Sequence, residues 1–125
     1  MGTHLVNRLE NLGHKVYISN TKKYNLDKVE NLYELNDISF DYIFHLAAAT
    51  KAGDYCLTHQ GDQWRNNQLL NTNILIYWKD YQPQAKLISM GTSCSYPVDL
   101  PMEEENYLVG LPGKDLFTYA MTKRM

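Results

Sequence analysis

Tyr119 and Lys123 are four residues apart near the end of the chain, and Thr92 stands 27 residues before that tyrosine. On a helix that spacing puts the phenol and the amine on one face, a turn apart. A free phenol titrates near about pH 10 and exchanges protons poorly at neutrality. A neighbouring ammonium favours the phenolate and draws the value towards the operating pH. A hydroxyl at a strand end, here Thr92, could bond the same substrate oxygen that Tyr119 protonates. Together the three outline hydride chemistry at a sugar or alcohol carbon. The spacing alone also fits a solvent-facing Tyr–Lys pair, so the reading depends on what positions these residues.

Alternating elements supply that context. From Thr3 to Leu12, Leu5, Leu9 and Leu12 recur at helical spacing beside Val6, and Gly13 reads as the stop. Lys15 to Ser19 reads as a short strand closed by Asn20-Thr21, and Asp27 to Leu35 as a second helix with Val29, Leu32 and Tyr33 on one side. Tyr42 to Leu46 is an apolar run of strand length followed by Ala47-Ala48-Ala49, as in a parallel strand covered on both faces. A long helix is expected from Asp62 to Tyr81, with Leu70, Ile74, Tyr77 and Tyr81 as its apolar stripe, ended by Pro83. Lys86 to Met90 reads as another strand, Gly91 to Asp115 as a loop, and a last helix begins near Leu116. Such alternation predicts an α/β fold around a parallel sheet.

Composition narrows the classes. The 125 residues are 44% hydrophobic and 21% charged, with net charge −2, which suits one globular domain or part of one. That balance gives no electrostatic case for nucleic acid or an anionic membrane as partner. No apolar run approaches the roughly 18 residues of a membrane span. No secretion signal is expected, because Met1-Gly2-Thr3-His4 passes straight into a patterned helix, and Val6 stands where myristoylation wants Ser or Thr. Cys56 and Cys94 make neither a disulfide framework nor a zinc site, and the histidines at 4, 14, 45 and 59 lack ligand spacing, so no metal is expected. A reducing cytoplasm is the expected location.

Four landmarks in order resemble the extended short-chain dehydrogenase/reductases, the nucleotide-sugar epimerase and dehydratase superfamily. Gly2-Thr3-His4-Leu5-Val6 resembles the end of that family's G-x-x-G-x-x-G turn, and His45-Leu46-Ala47-Ala48 the end of its fourth strand against the cofactor. Gly91-Thr92-Ser93-Cys94-Ser95-Tyr96-Pro97 resembles the fifth-strand end that supplies the catalytic hydroxyl, and Tyr119 to Lys123 matches Y-x-x-x-K. Within the family, Ser93 to Pro97, Pro101 to Glu105 and Leu111-Pro112 are most like the GDP-4-keto-6-deoxymannose epimerase-reductases, the GDP-L-fucose synthase group. Dehydratases carry an Asp-Glu pair after the catalytic threonine, where this chain has Ser93 and Cys94.

The resemblance implies a partial Rossmann fold, a doubly wound parallel sheet with helices on both faces, over residues 1–125 as one incomplete NAD(P)-binding domain. It implies Thr92, Tyr119 and Lys123 as catalytic, with Cys94 exchanging a proton beside the keto group together with a later histidine. None of the four histidines matches that partner, so His14 and His45 read as packing residues. A buried apolar thiol is the alternative for Cys94.

Cofactor contacts are expected from Gly2, Asn20, Asp27, Leu46, Ala47, Ala48, Tyr119 and Lys123. No acid stands at Asn20 to hold an NAD ribose, and Lys22-Lys23 follow, which tilts the expectation to NADP over NAD. Asn67 is expected near the site, with a solvent-facing position as its alternative, whereas Trp64, Tyr77, Trp78 and Tyr81 read as helix packing. The substrate class implied is a nucleotide-activated sugar, and the full-length protein is expected to pair as a homodimer.

The first strand and the substrate domain are expected to lie outside these residues. Loss of the central strand leaves backbone groups unpartnered, so the piece is expected to be inactive alone, with Met1 reading as an internal start. A nucleotide-sugar 4-epimerase and a non-catalytic dinucleotide-binding regulator are the other readings.

Overall fold

The computed structural model describes residues 1–51 and 54–124. Helix α1 spans Gly2–Asn11 and turns Leu5, Val6 and Leu9 inward to half-buried positions. Gly13 ends it as the leucine pattern predicts: its φ is +84°, a region nearly closed to residues with a Cβ, and its amide donates to Glu10 O at 2.9 Å.

Strands β1 (Tyr42–His45) and β2 (Lys86–Ser89) pair in parallel, with Tyr42 opposite Lys86 and His45 opposite Ser89. Their connection carries the short helix α2 (Tyr55–Thr58), which the sequence did not signal, and α3 (Gln60–Tyr81). Helix α4 (Phe117–Lys123) follows a long excursion, residues 91–116, pinched by an isolated antiparallel bridge between Pro97 and Pro112.

Two expected elements differ. Lys15 to Ser19 forms no strand: no described residue lies alongside it to complete a ladder, although Tyr17 packs edge-on against Phe40 at 5.5 Å between ring centres. The expected α-helix over Asp27 to Leu35 is a 3₁₀ helix, Val29–Leu35. Local polar side chains compete with the backbone there, since Asn31 Nδ2 donates to Asn25 O and to Asp27 Oδ1, both at 2.9 Å.

The apolar core gathers Leu26, Leu32, Leu35, Ile74 and Tyr77, joined by Val29, Phe40, Ile43, Leu70 and Leu87. The expected stripe on α3 is only half right. Ile74 and Tyr77 are buried and Leu70 half-buried, but Tyr81 is exposed and stacks on Tyr77. Trp64 is likewise exposed at 41%, whereas Trp78 donates its indole N–H to Ala85 O at 2.8 Å.

The rest of the buried face of α3 is amide: Gln63, Asn67, Asn71 and Asn73. These side chains fasten irregular backbone to the helix. Asn67 accepts from Ala49 N and donates to Ala49 O, both at 2.9 Å, and Asn73 donates to Leu26 O at 2.8 Å. Just past the helix, Gln82 donates to Ile38 O at 2.8 Å and accepts from Phe40 N at 3.2 Å. Buried carbonyls without regular partners are costly, and primary amides satisfy both polarities at once. No helix among the described residues is long and apolar enough to cross a membrane.

Candidate functional site

Because β1 and β2 are parallel, the segments that leave them, residues 46–49 and 90–95, emerge at the same edge of the sheet. Helix α4 is brought to that edge by contacts with α3 and with the 3₁₀ turn Ser93–Ser95. Polar anchors then fix it. Ser95 Oγ donates to Ala120 O at 3.0 Å, Asn71 Nδ2 to Thr122 O at 2.7 Å, and Tyr107 Oη to Lys123 O at 2.9 Å. The Arg124 guanidinium bonds Ser95 O through Nε at 2.9 Å and through Nη2, and Gly110 O through Nη1 at 2.7 Å.

Gly91 explains itself in this setting. A Cβ there would lie 2.6 Å from the Tyr107 hydroxyl, so a side chain would push out the residue that holds Lys123.

Thr92 is half-buried at the start of the 93–95 turn, where its Oγ1 accepts from Cys94 N at 3.4 Å, a long contact, and its hydroxyl hydrogen has no acceptor among the described residues. Tyr119 is half-buried, and its phenol is pushed above the ordinary tyrosine range first by burial, then by Cys94, Cys56 and Tyr107. Both cysteines therefore lie within electrostatic reach of it. Cys56 is the neighbour that sequence reasoning missed: it is buried, donating to Lys51 O at 3.4 Å and accepting from Gln63 Nε2 at 3.1 Å. Nothing in the spacing of residues 56 and 119 could have announced this.

Lys123 is 5% exposed, and burial draws its amine below the ordinary lysine value. Its Nζ reaches Ala47 O at 3.5 Å, directly after β1, and no other partner is found among the described residues. The expected lowering of the Tyr119 phenol by this lysine is not realised: the amine is directed at the β1 end, and burial dominates at the phenol.

The expected cofactor residues divide into two groups. Leu46, Ala47 and Ala48 are half-buried beyond β1, and a Cβ on Gly2 would meet Leu46 Cδ1 at 4.0 Å, so the start of α1 lies beside that segment. Asp27 lies at a separate, polar groove, and Asn20 stands in the loop just before the Lys22 and Lys23 that line it. The Asn20 side chain is already engaged, its Oδ1 accepting from Lys22 N at 2.8 Å and Lys23 N at 3.0 Å. Asp27 lines that groove of about 500 Å³ with Lys22, Lys23, Lys28, Glu30 and Glu34. Lys23 sits 4.6 Å from the ring centre of Tyr24, whose φ of 54° turns the loop.

The two histidines read as packing residues part company. His14 is exposed, because it follows the end of α1 rather than lying on its inner face. His45 is 2% exposed, with Nε2 2.9 Å from Asn71 Oδ1, and burial holds its ring below the ordinary value.

This edge has the makings of a dinucleotide site. A buried ammonium has three donors and one long contact, which leaves capacity for ribose hydroxyls. In open α/β sheets ligands gather outside the carboxyl ends of strands.

The chain belongs to the NAD dependent epimerase/dehydratase family, whose model matches residues 1–125. It is similar to the crystal structure of a GDP-L-fucose synthetase from Naegleria fowleri, with a TM-score of 0.78 and 24% identity over 99% of this chain. The match spans 38% of that longer chain. A likeness at that identity establishes the fold, a partial Rossmann arrangement, and agrees with the parallel order seen here. No curated protein matches the chain.

Proposed function

We propose that these residues form the cofactor-side half of an NADP-dependent enzyme that epimerises and reduces a nucleotide-activated sugar, with GDP-4-keto-6-deoxymannose as substrate. The observation that carries the reading is the convergence of Tyr119, Cys94 and Lys123 at one sheet edge, in a chain of this family. The solved neighbour, described as a GDP-L-fucose synthetase, supports the substrate class.

Bound at the edge, NADPH supplies the hydride. Lys123 holds the nicotinamide ribose through its buried ammonium. Thr92 donates its unused hydroxyl hydrogen to the substrate carbonyl oxygen. Tyr119 protonates the same oxygen as the carbonyl becomes an alcohol, and burial keeps the phenol protonated until that moment. Cys94 exchanges the proton on carbon adjacent to the carbonyl, the thiol taking it up and returning it.

Gly2 lets the start of α1 approach the pyrophosphate, Leu46, Ala47 and Ala48 flank the dinucleotide, and Asp27 meets the adenine. With the Asn20 side chain turned into its own loop, no acid there selects an NAD ribose, and Lys22 is the cation offered to a 2′-phosphate. The reading includes a cytoplasmic protein that pairs through the outer face of α3, where Trp64, Leu69, Leu75 and Ile76 are exposed.

A Cys94→Ala variant of the complete enzyme separates the steps. Solvent deuterium incorporation beside the keto group should be lost while NADPH oxidation by the ketosugar persists. Equal loss of both would remove the separate role of Cys94, and no NADPH oxidation by the parent would remove the activity.

A plain 4-epimerase, the alternative within enzymes, needs no exchanging thiol, and deuterium incorporation separates it. NADPH oxidation with any keto-sugar excludes the regulator reading.

A further inference from the structure

We propose that Tyr107 is a positioning residue. Its side chain acts as a strut between the backbone beside Thr92 and the carbonyl of Lys123, setting the separation at which Thr92 and Tyr119 meet one substrate oxygen. This role rests on the reading of Thr92, Tyr119 and Lys123 given above.

The phenol oxygen of Tyr107 is engaged twice. It donates to Lys123 O at 2.9 Å. The same oxygen lies so close to the Gly91 backbone that a Cβ there would meet Oη at 2.6 Å, Cζ at 3.1 Å and Cε2 at 3.4 Å. The ring is therefore laid along the residue that precedes Thr92, and its tip touches the last residue of α4. Tyr96 meets the ring edge-on, with 5.2 Å between centres and 75° between planes, which holds its orientation. The backbone under Tyr107 is itself fixed. It follows the 3₁₀ turn Glu104–Asn106, its amide donating to Glu104 O at 3.2 Å, and Asn106 Nδ2 donates to Pro101 O at 3.1 Å. Just beyond, Arg124 grips the same segment through Val109 O at 3.3 Å and Gly110 O at 2.7 Å.

Other anchors of α4 run elsewhere. Ser95 holds Ala120 O and Asn71 holds Thr122 O, which fixes the helix against the 93–95 turn and against α3. Tyr107 instead spans from Gly91, just past β2, to the helix. A hydroxyl and a phenol that must reach one oxygen tolerate little error, since a misplacement of about 1 Å costs about 100-fold in rate. Lys123 has more slack, because its amine rides on a flexible stem and can follow a ribose when the backbone moves. Loss of the strut therefore falls on the chemical step and spares cofactor binding. Tyr107 is also within electrostatic reach of the Tyr119 phenol, in keeping with its place at the site.

The test uses the complete enzyme and three variants: Tyr107→Phe, Gly91→Ala and the two combined. Tyr107→Phe keeps the ring, and Arg124, Ser95 and Asn71 still hold α4, so the fold is retained. Its kcat for ketosugar reduction should fall at least about ten-fold. The Kd of NADPH should change less than about three-fold, because the lysine stem takes up the shift. Gly91→Ala drives a methyl into the Tyr107 hydroxyl and should also lower kcat at least about ten-fold. In the Tyr107→Phe background the nearest ring atom lies 3.1 Å from that Cβ, a contact that a small shift relieves. There Gly91→Ala should cost less than about three-fold more, as expected of two residues in contact. Losses that multiply, or an unchanged kcat in Tyr107→Phe, would overturn the strut. Hydrogen exchange reads it without turnover: Tyr107→Phe should speed the amides of 91–94 and 119–123 together at least about ten-fold and leave those of 74–78 unchanged. An enzyme with this coupled exchange that reduces no ketosugar would end the activity and uphold the strut. Unchanged exchange in both segments would end the strut whatever the activity.

Discussion

At Tyr119 and Lys123, burial acts in opposite directions: the phenol is raised and the amine lowered, so each favours its neutral form. For Tyr119 the folded value lies above the unfolded one. Its contribution to stability is complete below about pH 10 and is lost as pH rises through the raised value. For Lys123 the folded value lies below the unfolded one, so its contribution is complete above the ordinary lysine value and is lost as pH falls through the lowered value. We expect the Tyr119 ring carbon, followed by NMR in labelled protein with Tyr119→Phe to assign it, to titrate above the ordinary tyrosine value of about 10 without cofactor. NADPH should bring it down. A phenol already titrating below about 10 in the free protein would contradict the assigned burial. Lys123→Met should separate stability from function. Removing a buried, poorly paired ammonium leaves urea stability at least as high as the parent's, whereas NADPH affinity should drop at least ten-fold. A loss of stability instead would mean that the 3.5 Å contact with Ala47 O is a strong one.

On α3 the amide face acts as a set of clamps. Asn71 joins His45 of β1 to the Thr122 carbonyl of α4. Asn71→Leu leaves both of those buried groups unpaired, at about 1–3 kcal/mol each, whereas Thr72→Ala on the exposed side should stay within about 0.5 kcal/mol. Urea midpoints of the two variants check this, and similar midpoints would show that water replaces Asn71 without penalty. The clamps also show how much of the molecule could be foreseen. Helices α1 and α3 declare themselves through apolar period, with Gly13 and Pro83 as stops, the strand Tyr42–His45 through a continuous apolar run, and α4 only through its start near Leu116. The buried amides do not, because Asn and Gln at helical spacing look like a solvated face until their carbonyl partners are known. Lys15 to Ser19 has the pattern of a strand, but a strand is defined by its ladder, and pattern does not supply the partner. Tyr119, Lys123, Thr92 and Cys94 could be singled out as candidates because their motifs are local. The approach of Cys56 to Tyr119, or of Tyr107 to Gly91, comes from how the 91–116 excursion folds over the sheet edge, which no short-range signal encodes.

Across the whole chain the two halves are held by different forces. The half built on α3 and the Val29–Leu35 turn buries Leu26, Leu32, Leu35, Ile74 and Tyr77 together. The half carrying the site buries few apolar side chains. On α4 these reduce to Ala120, and hydrogen bonds from Ser95, Asn71, Tyr107 and Arg124 hold the rest. Hydrogen bonds contribute about 0.5–1.5 kcal/mol net apiece, because water competes for the same groups, whereas a fully buried leucine contributes about 1.5–3 kcal/mol. The site half should therefore open at a lower free energy than the core half, as regions that bind ligands commonly do. Native-state hydrogen exchange in low denaturant reads this directly: amides of 119–123 should exchange at least ten-fold faster than those of 74–78. NADPH should narrow that gap, since a ligand bound only to the closed form stabilises it in proportion to the logarithm of its concentration. Uniform exchange across both helices would instead mean a single cooperative unit, with the polar anchors as strong as the leucine core.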